Sequence, residues 1–209
     1  MNIIVNNYDK IIKGKQILNN INLTFHSGKI YGLCGKNGSG KTMLLRAICG
    51  LILPSKGEVS IDNKIVGKDI EFPESVGIII ENIELLSEYS GIDNLRLIAK
   101  INKKVTDKEI IHSMELVGLN PFDKKKVKAF SLGMRQKLNI AQAIMEKPKL
   151  LLLDEPTNAL DKEGVENIRN LLLKFRDNDT LIIIASHNNE DLNILCDEFI
   201  HLSEGKVVE

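Results

Sequence analysis

The sequence predicts an α/β fold: a mostly parallel sheet covered by helices, an antiparallel β portion near the N-terminus, and an inserted helical segment. Three observations carry this. Two runs, 150–153 and 181–185, are apolar on both faces, as strands enclosed in a parallel sheet must be. Between them Val165, Ile168, Leu172 and Phe175 recur at helical spacing, so strand and helix alternate. Residues 1–80 read as β-rich, whereas the apolar period from about 90 to 147 is helical.

Taken in order, Ile3, Ile4 and Val5 open a first strand, and Ile21, Leu23 and Phe25 alternate as a second. Residues 30–34 form a buried strand, and a helix follows at about 41–50. Val59 and Ile61 precede an Asp62-Asn63 turn, and 76–80 is the next apolar strand. In the helical segment Ile110, Met114 and Val117 share a face, with a Thr106-x-x-Glu109 capping box before them and Gly118 after. The strand at 150–153, the helix at 165–175, the strand at 181–185, a short helix and a last strand at 199–202 complete the chain. The expected organisation is one domain, 1–209, with its core in 1–81 and 150–209 and its helical subdomain in 82–149.

Composition narrows the function classes. The 209 residues hold 28 Lys plus Arg against 28 Asp plus Glu, so no global positive field exists to hold a nucleic-acid backbone. Aromatics are 4% with no Trp, which leaves little for stacking bases, and nucleic acid is excluded as a partner. Cys34, Cys49 and Cys196 are an odd, widely spaced set with no C-x-x-C pair, fitting a reducing compartment and small buried side chains. No uncharged stretch approaches the roughly 18 residues of a membrane span, and the start lacks a basic leader. The expectation is a soluble, cytoplasmic chain.

The sharpest motif is Gly35-Lys36-Asn37-Gly38-Ser39-Gly40-Lys41-Thr42, which matches G-x-x-x-x-G-K-[ST] between a strand and a helix. Glycines without Cβ let successive N–H groups converge on phosphates at a helix N-terminus. Lys41 reaches the β and γ oxygens, and the Thr42 hydroxyl ligates Mg²⁺. This makes the α/β core a P-loop NTPase core that binds a nucleotide. A second motif, the apolar strand ending in Asp154-Glu155, lies at the carboxyl end where open α/β sheets bind ligands. Asp154 can hold Mg²⁺, and Glu155 can orient or deprotonate the water that attacks the γ-phosphorus.

Four further segments fall in the order of one family. Phe130-Ser131-Leu132-Gly133-Met134-Arg135-Gln136 resembles the signature L-S-G-G-Q-R-Q of ATP-binding-cassette (ABC) ATPase subunits. Asn158-Ala159-Leu160-Asp161 resembles their D-loop, Ser186-His187 their switch histidine, and Glu81 stands where most of them carry the Q-loop glutamine. The resemblance covers essentially the whole chain. It implies ATP and Mg²⁺ as cofactors, and Glu155 and His187 as catalytic residues. The phosphate loop, Glu81, Ser131, Gly133 and Asp161 would contact nucleotide, and Thr42, Asp154 and Glu81 the metal. Ser131 and Gly133, expected just ahead of a helix, would face the nucleotide of a partner subunit, so that two ATP molecules are sandwiched in an ATP-dependent homodimer.

Departures from the pattern carry information of their own. Glu81 together with S-L-G-M-R-Q resembles the subgroup associated with bacitracin and lantibiotic resistance or self-protection. Ile12, or its neighbour Ile11, falls where the family stacks an aromatic on the base, with Tyr8 as a candidate substitute. The implied function is the motor subunit of an ABC transporter, driving a separate integral membrane permease through region 83–101, peripheral at the inner face of the membrane, with export by analogy. A soluble ABC ATPase without a permease is the alternative. A regulatory switch with negligible turnover is disfavoured by Glu155 and His187, and a GTPase by the lack of N-K-x-D.

Overall fold

The computed structural model describes residues 1–80 and 84–208. Strands β1 (Asn2–Ile12) and β2 (Lys15–His26) pair antiparallel across a tight turn, and β1 also pairs with β4 (Lys56–Ile61), which pairs with the short β5 (Lys64–Ile65). Together they form a four-stranded sheet in the order β2-β1-β4-β5. Ile3, Val5, Ile21, Phe25, Val59 and Ile61 face inward, as the alternation in the sequence requires.

The second sheet has the order β10-β9-β3-β8-β7-β6. Its five strands β3 (Ile30–Cys34), β6 (Val76–Ile79), β7 (Leu150–Asp154), β8 (Leu181–Ala185) and β9 (Glu198–Ser203) run parallel, and β10 (Lys206–Val208) is added antiparallel at the β9 edge. β7 and β8 are central, and every residue of 150–153 and 181–185 is buried. Each such Leu or Ile stabilises the fold by roughly 1.5–3 kcal/mol relative to leaving it exposed.

Two apolar layers follow from the alternation of these strands. On one face Leu33, Leu150, Leu152, Leu181 and Ile183 pack with the antiparallel sheet and with Leu44, Leu45 and Ile48 of α1 (Lys41–Ile48). On the other, Leu151, Leu153, Ile182 and Ile184 meet the remaining helices. These are α2 (Gly91–Asn102), α3 (Asp107–Leu116), α4 (Leu132–Ile144), α5 (Lys162–Asp177) and α6 (Asn189–Leu195). The first three of them lie in the chain between β6 and β7.

The capping box ahead of α3 forms: Glu109 N donates to Thr106 Oγ1, and Thr106 N donates to Glu109 Oε2 at 3.0 Å. Of the two readings open for Tyr8, the structure has the one that packs it against the sheet: it is fully buried, with its hydroxyl donating to the Ile52 carbonyl at 3.1 Å. It cannot stack on a base. Gly133 also moves, since α4 begins at Leu132 and takes that glycine inside its first turn.

Candidate functional site

The loop between β3 and α1 is shaped by its glycines. Gly40 is the N-cap of α1 with φ +110°, a region closed to side-chain-bearing residues, and it turns the chain so that the helix opens at Lys41. Lys41 is 7% exposed, and its Nζ donates to the carbonyls of Gly35 at 2.6 Å and Lys36 at 3.2 Å. The ammonium is therefore held under the loop by two of its three donors. Ser39 is buried behind it, with a backbone bond to Lys36 and an Oγ that has no hydrogen-bond partner.

At the ends of β7 and β8 the acidic residues meet the loop. Thr42 Oγ1 donates to Asp154 Oδ2 at 2.5 Å, placing two hard oxygens side by side. Glu155 follows with φ +49°, a costly conformation for a residue with a Cβ. Its backbone N donates to the Ala185 carbonyl at 2.8 Å, and its carboxylate meets three groups of the residues that follow β8. Ser186 Oγ donates to Oε2 at 2.9 Å; His187 N donates to Oε1 at 2.9 Å, and His187 Nδ1 lies 2.6 Å from the same oxygen. Because an ionised carboxylate only accepts, that contact puts a ring proton on Nδ1.

One cavity of about 870 Å³ has Ile12, Lys13, Lys15 and Ile17 at its β1–β2 side and Asn37, Gly38, Gly40, Lys41, Thr42, Asp154, Glu155 and Gln136 around the rest, while Ser186 and His187 lie outside the lining and are tied to it through Glu155. Gly35, Lys36 and Ser39 support the loop from outside the lining. Ile12, not Ile11, reaches the cavity, and none of the lining residues is aromatic. The residues fit a nucleotide: a buried ammonium, an unpartnered buried hydroxyl and a glycine cradle suit the phosphates. Thr42 and Asp154 suit Mg²⁺, which takes one or two protein oxygens and draws its remaining ligands from phosphate and water.

Ser131 and Gly133 line a different cavity, about 710 Å³, together with Leu132, Lys137, Ala159 and Asp161. Ser131 caps α4 by accepting from Met134 N at 3.2 Å. A Cβ at Gly133 would come 2.8 Å from the Ala159 carbonyl, so only glycine lets α4 sit this close to the 155–161 segment. Asp161 caps α5, its Oδ1 accepting from Gly164 N at 3.0 Å. Glu81 lies outside the described residues. The motifs contain Gln136 and Ser186 but give them no role of their own, and they leave out Thr157; the bonds of all three to residues 155–156 and 191 reach across 19 or more positions of chain.

Residues 18–158 match the family described as ABC transporter. The ABC transporter ATP-binding protein YybJ of Bacillus subtilis (strain 168) is 51% identical over 201 residues, 96% of this chain and 92% of that protein. The chain belongs to the ABC transporter ATP-binding family. As an ABC ATPase it binds and hydrolyses ATP. Two further relatives of this ABC subunit are the lantibiotic transport ATP-binding protein SrtF of Streptococcus pyogenes, 34% identical over 98% of this chain and 88% of its own length, and the bacitracin transport ATP-binding protein BcrA of Enterococcus faecalis, 39% identical over 92% and 63%. A bacterial ABC transporter cassette solved as a dimer superposes with a TM-score of 0.89 over 99% of this chain and 97% of that one, at 24% identity, and establishes the shared fold.

Proposed function

We propose that this ABC ATPase is the motor subunit of an exporter for an antimicrobial peptide or drug, acting as an ATP-dependent homodimer on a separate membrane permease. The observation that carries the reading is the convergence of the Lys41 loop, the Thr42–Asp154 pair and Glu155 on one cavity, with His187 bonded to Glu155 from outside the lining. The loop N–H groups and Lys41 hold the β and γ phosphates. Thr42 and Asp154 hold Mg²⁺, with Glu81 a further candidate ligand. When bound, that ion neutralises charge on the phosphate oxygens.

Glu155 acts as the general base toward the attacking water, and His187 holds its carboxylate and faces the γ-phosphate. Ser131 and Gly133, at the N-terminus of α4, complete the partner's site, and Asp161 lies in the contact between the two chains. The subdivision into a core of 1–81 and 150–209 and a helical subdomain of 82–149 belongs to the same proposal. The lantibiotic and bacitracin transport relatives support the substrate class. Among the described residues no helix is long and apolar enough to cross a membrane, which is consistent with peripheral attachment at the cytoplasmic face.

Co-expression with a candidate polytopic permease tests the coupling. The chain is expected in the membrane fraction only when that protein is present, and its transport activity should vanish with Lys41→Ala. A chain that stays in the supernatant with every candidate permease contradicts the exporter reading.

A further inference from the structure

The backbone that presents Glu155 is anchored from two sides. On the sheet side its N–H and its carboxylate bond to Ala185, Ser186 and His187 at the end of β8. On the other side, Gln136 Nε2 donates to the Glu155 carbonyl at 3.3 Å and to the Pro156 carbonyl at 2.9 Å. Glu155 O also accepts from Asn158 N within its own turn, at 3.2 Å. Among the described residues Gln136 is the side chain from a separate element bonded to the carbonyls of 155 and 156. The peptide it grips belongs to a residue held at φ +49°, where an unforced chain would not stay.

Gln136 sits on α4, five residues after the cap Ser131. A helix rises about 1.5 Å per residue, so the two lie roughly 7.5 Å apart along one rigid rod. Ser131 opens the second cavity and Gln136 lines the first. One short stretch of helix thus touches both anion sites of the chain. The donor that holds the Glu155 and Pro156 carbonyls is carried by the helix that Ser131 opens.

We propose that Gln136 is a positioning residue that ties the placement of Glu155 to the seating of the α4 N-terminus. Hydrolysis at a chain's own phosphate loop then follows the engagement of its Ser131 end by the partner's nucleotide. This rests on the reading that Glu155 is the general base and that the dimer is a nucleotide sandwich. Its consequence is positive cooperativity in ATP, transmitted within each chain through one carboxamide, a coupling by a discrete contact.

Steady-state hydrolysis over a range of ATP concentrations tests this in the full chain, comparing wild type with Gln136→Met, Gln136→Glu, Gln136→Lys and Glu155→Gln. Methionine keeps the volume without a donor, glutamate repels the two carbonyls, and lysine restores a donor of similar reach. Wild type should show a Hill coefficient clearly above one. Gln136→Met should lose roughly tenfold or more in kcat, the scale of one hydrogen bond that holds a reacting group, with its Hill coefficient falling toward one. Its equilibrium affinity for a fluorescent ATP analogue should stay within about twofold of wild type. Gln136→Glu should be at least as impaired, and Gln136→Lys should recover most of the rate and the cooperativity.

Wild-type kcat and Hill coefficient in Gln136→Met, beside an inactive Glu155→Gln, overturn the coupling and leave the general base standing. A rate loss that Gln136→Lys does not rescue, with the Hill coefficient unchanged, reduces Gln136 to a packing residue and also overturns it. Wild-type turnover by Glu155→Gln, or a wild-type Hill coefficient of one, removes the ground on which the coupling stands.

Discussion

Asp191, in the first turn of α6, offers the most decisive test of how the switch region is held. It is 2% exposed, and its carboxylate accepts from Thr157 Oγ1 and from Arg169 Nε at 2.8 Å, with Arg169 Nη2 also in contact. Three segments meet there: α5 through Arg169, the 155–161 segment through Thr157, and the helix that follows His187. Replacing Asp191 by Ala leaves a guanidinium whose side chain is only 12% exposed, with Glu190 at 3.2 Å as its remaining partner. Glu190 is 73% exposed, so that pair contributes about 1 kcal/mol at most.

Breaking a buried ion pair from one side costs about 3–5 kcal/mol, and the partly solvated edge of Arg169 places this case near 3 kcal/mol. For a chain of this size that corresponds to a fall in Tm of about 6–12 °C. Thermal unfolding followed by circular dichroism, nucleotide-free at pH 7, reads it directly. The double variant Arg169→Met with Asp191→Leu, which removes both charges, should regain part of the loss because no unpaired ion remains. A fall of less than about 2 °C in Asp191→Ala, or a double variant that is as unstable as two independent losses, refutes the argument.

The remaining predictions concern nucleotide choice, thiols and acid. With Ile12 and Ile17 lining the cavity in place of a ring, ATP should be preferred over GTP by less than about a hundredfold, or 2.7 kcal/mol, in competition binding, and Ile12→Tyr should tighten both by roughly fivefold or more. Burial raises the thiols of Cys34 and Cys49 and pushes Cys196 up to about 12, so alkylation at pH 8 should be slow in the folded chain and fast in denaturant. Glu109 is held at about 2 by the Thr106 backbone N–H first, then by Lys147 and the Thr106 hydroxyl. Because its folded value lies below the ordinary 4.5, its stabilisation is complete above pH 4.5 and fades as pH falls toward 2. The Tm gap between wild type and Glu109→Gln should therefore be open at pH 7 and close in that acid window.

Motifs that are local in the chain were legible in the sequence for a physical reason. The phosphate loop, the Asp154-Glu155 strand end and the Thr106–Glu109 capping box each place all their chemistry within a few residues, where spacing alone dictates geometry. Tyr8 shows where that stops. Strict alternation from Ile3 and Val5 puts Tyr8 on the outer face, but a bulge between Val5 and Tyr8, with Asn7 at φ +46°, turns it into the core. No pattern of apolar residues announces a bulge. The Gln136 and Asp191 contacts were illegible for a different reason: they join segments 19 to 34 residues apart through long polar side chains that any helix surface carries. The inward turn of the Lys41 ammonium likewise depends on the folded loop.

In the proposed cycle two chains close around ATP and Glu155 drives its hydrolysis. Sedimentation velocity of Glu155→Gln with ATP and Mg²⁺ tests both parts at once, since removing the base without removing the binding groups should trap the closed state. The variant should be a stable dimer with ATP, a monomer without it, and a monomer with ATP when Ser131→Arg is added. A Glu155→Gln chain that remains monomeric at saturating ATP, or that hydrolyses ATP at the wild-type rate, contradicts that cycle.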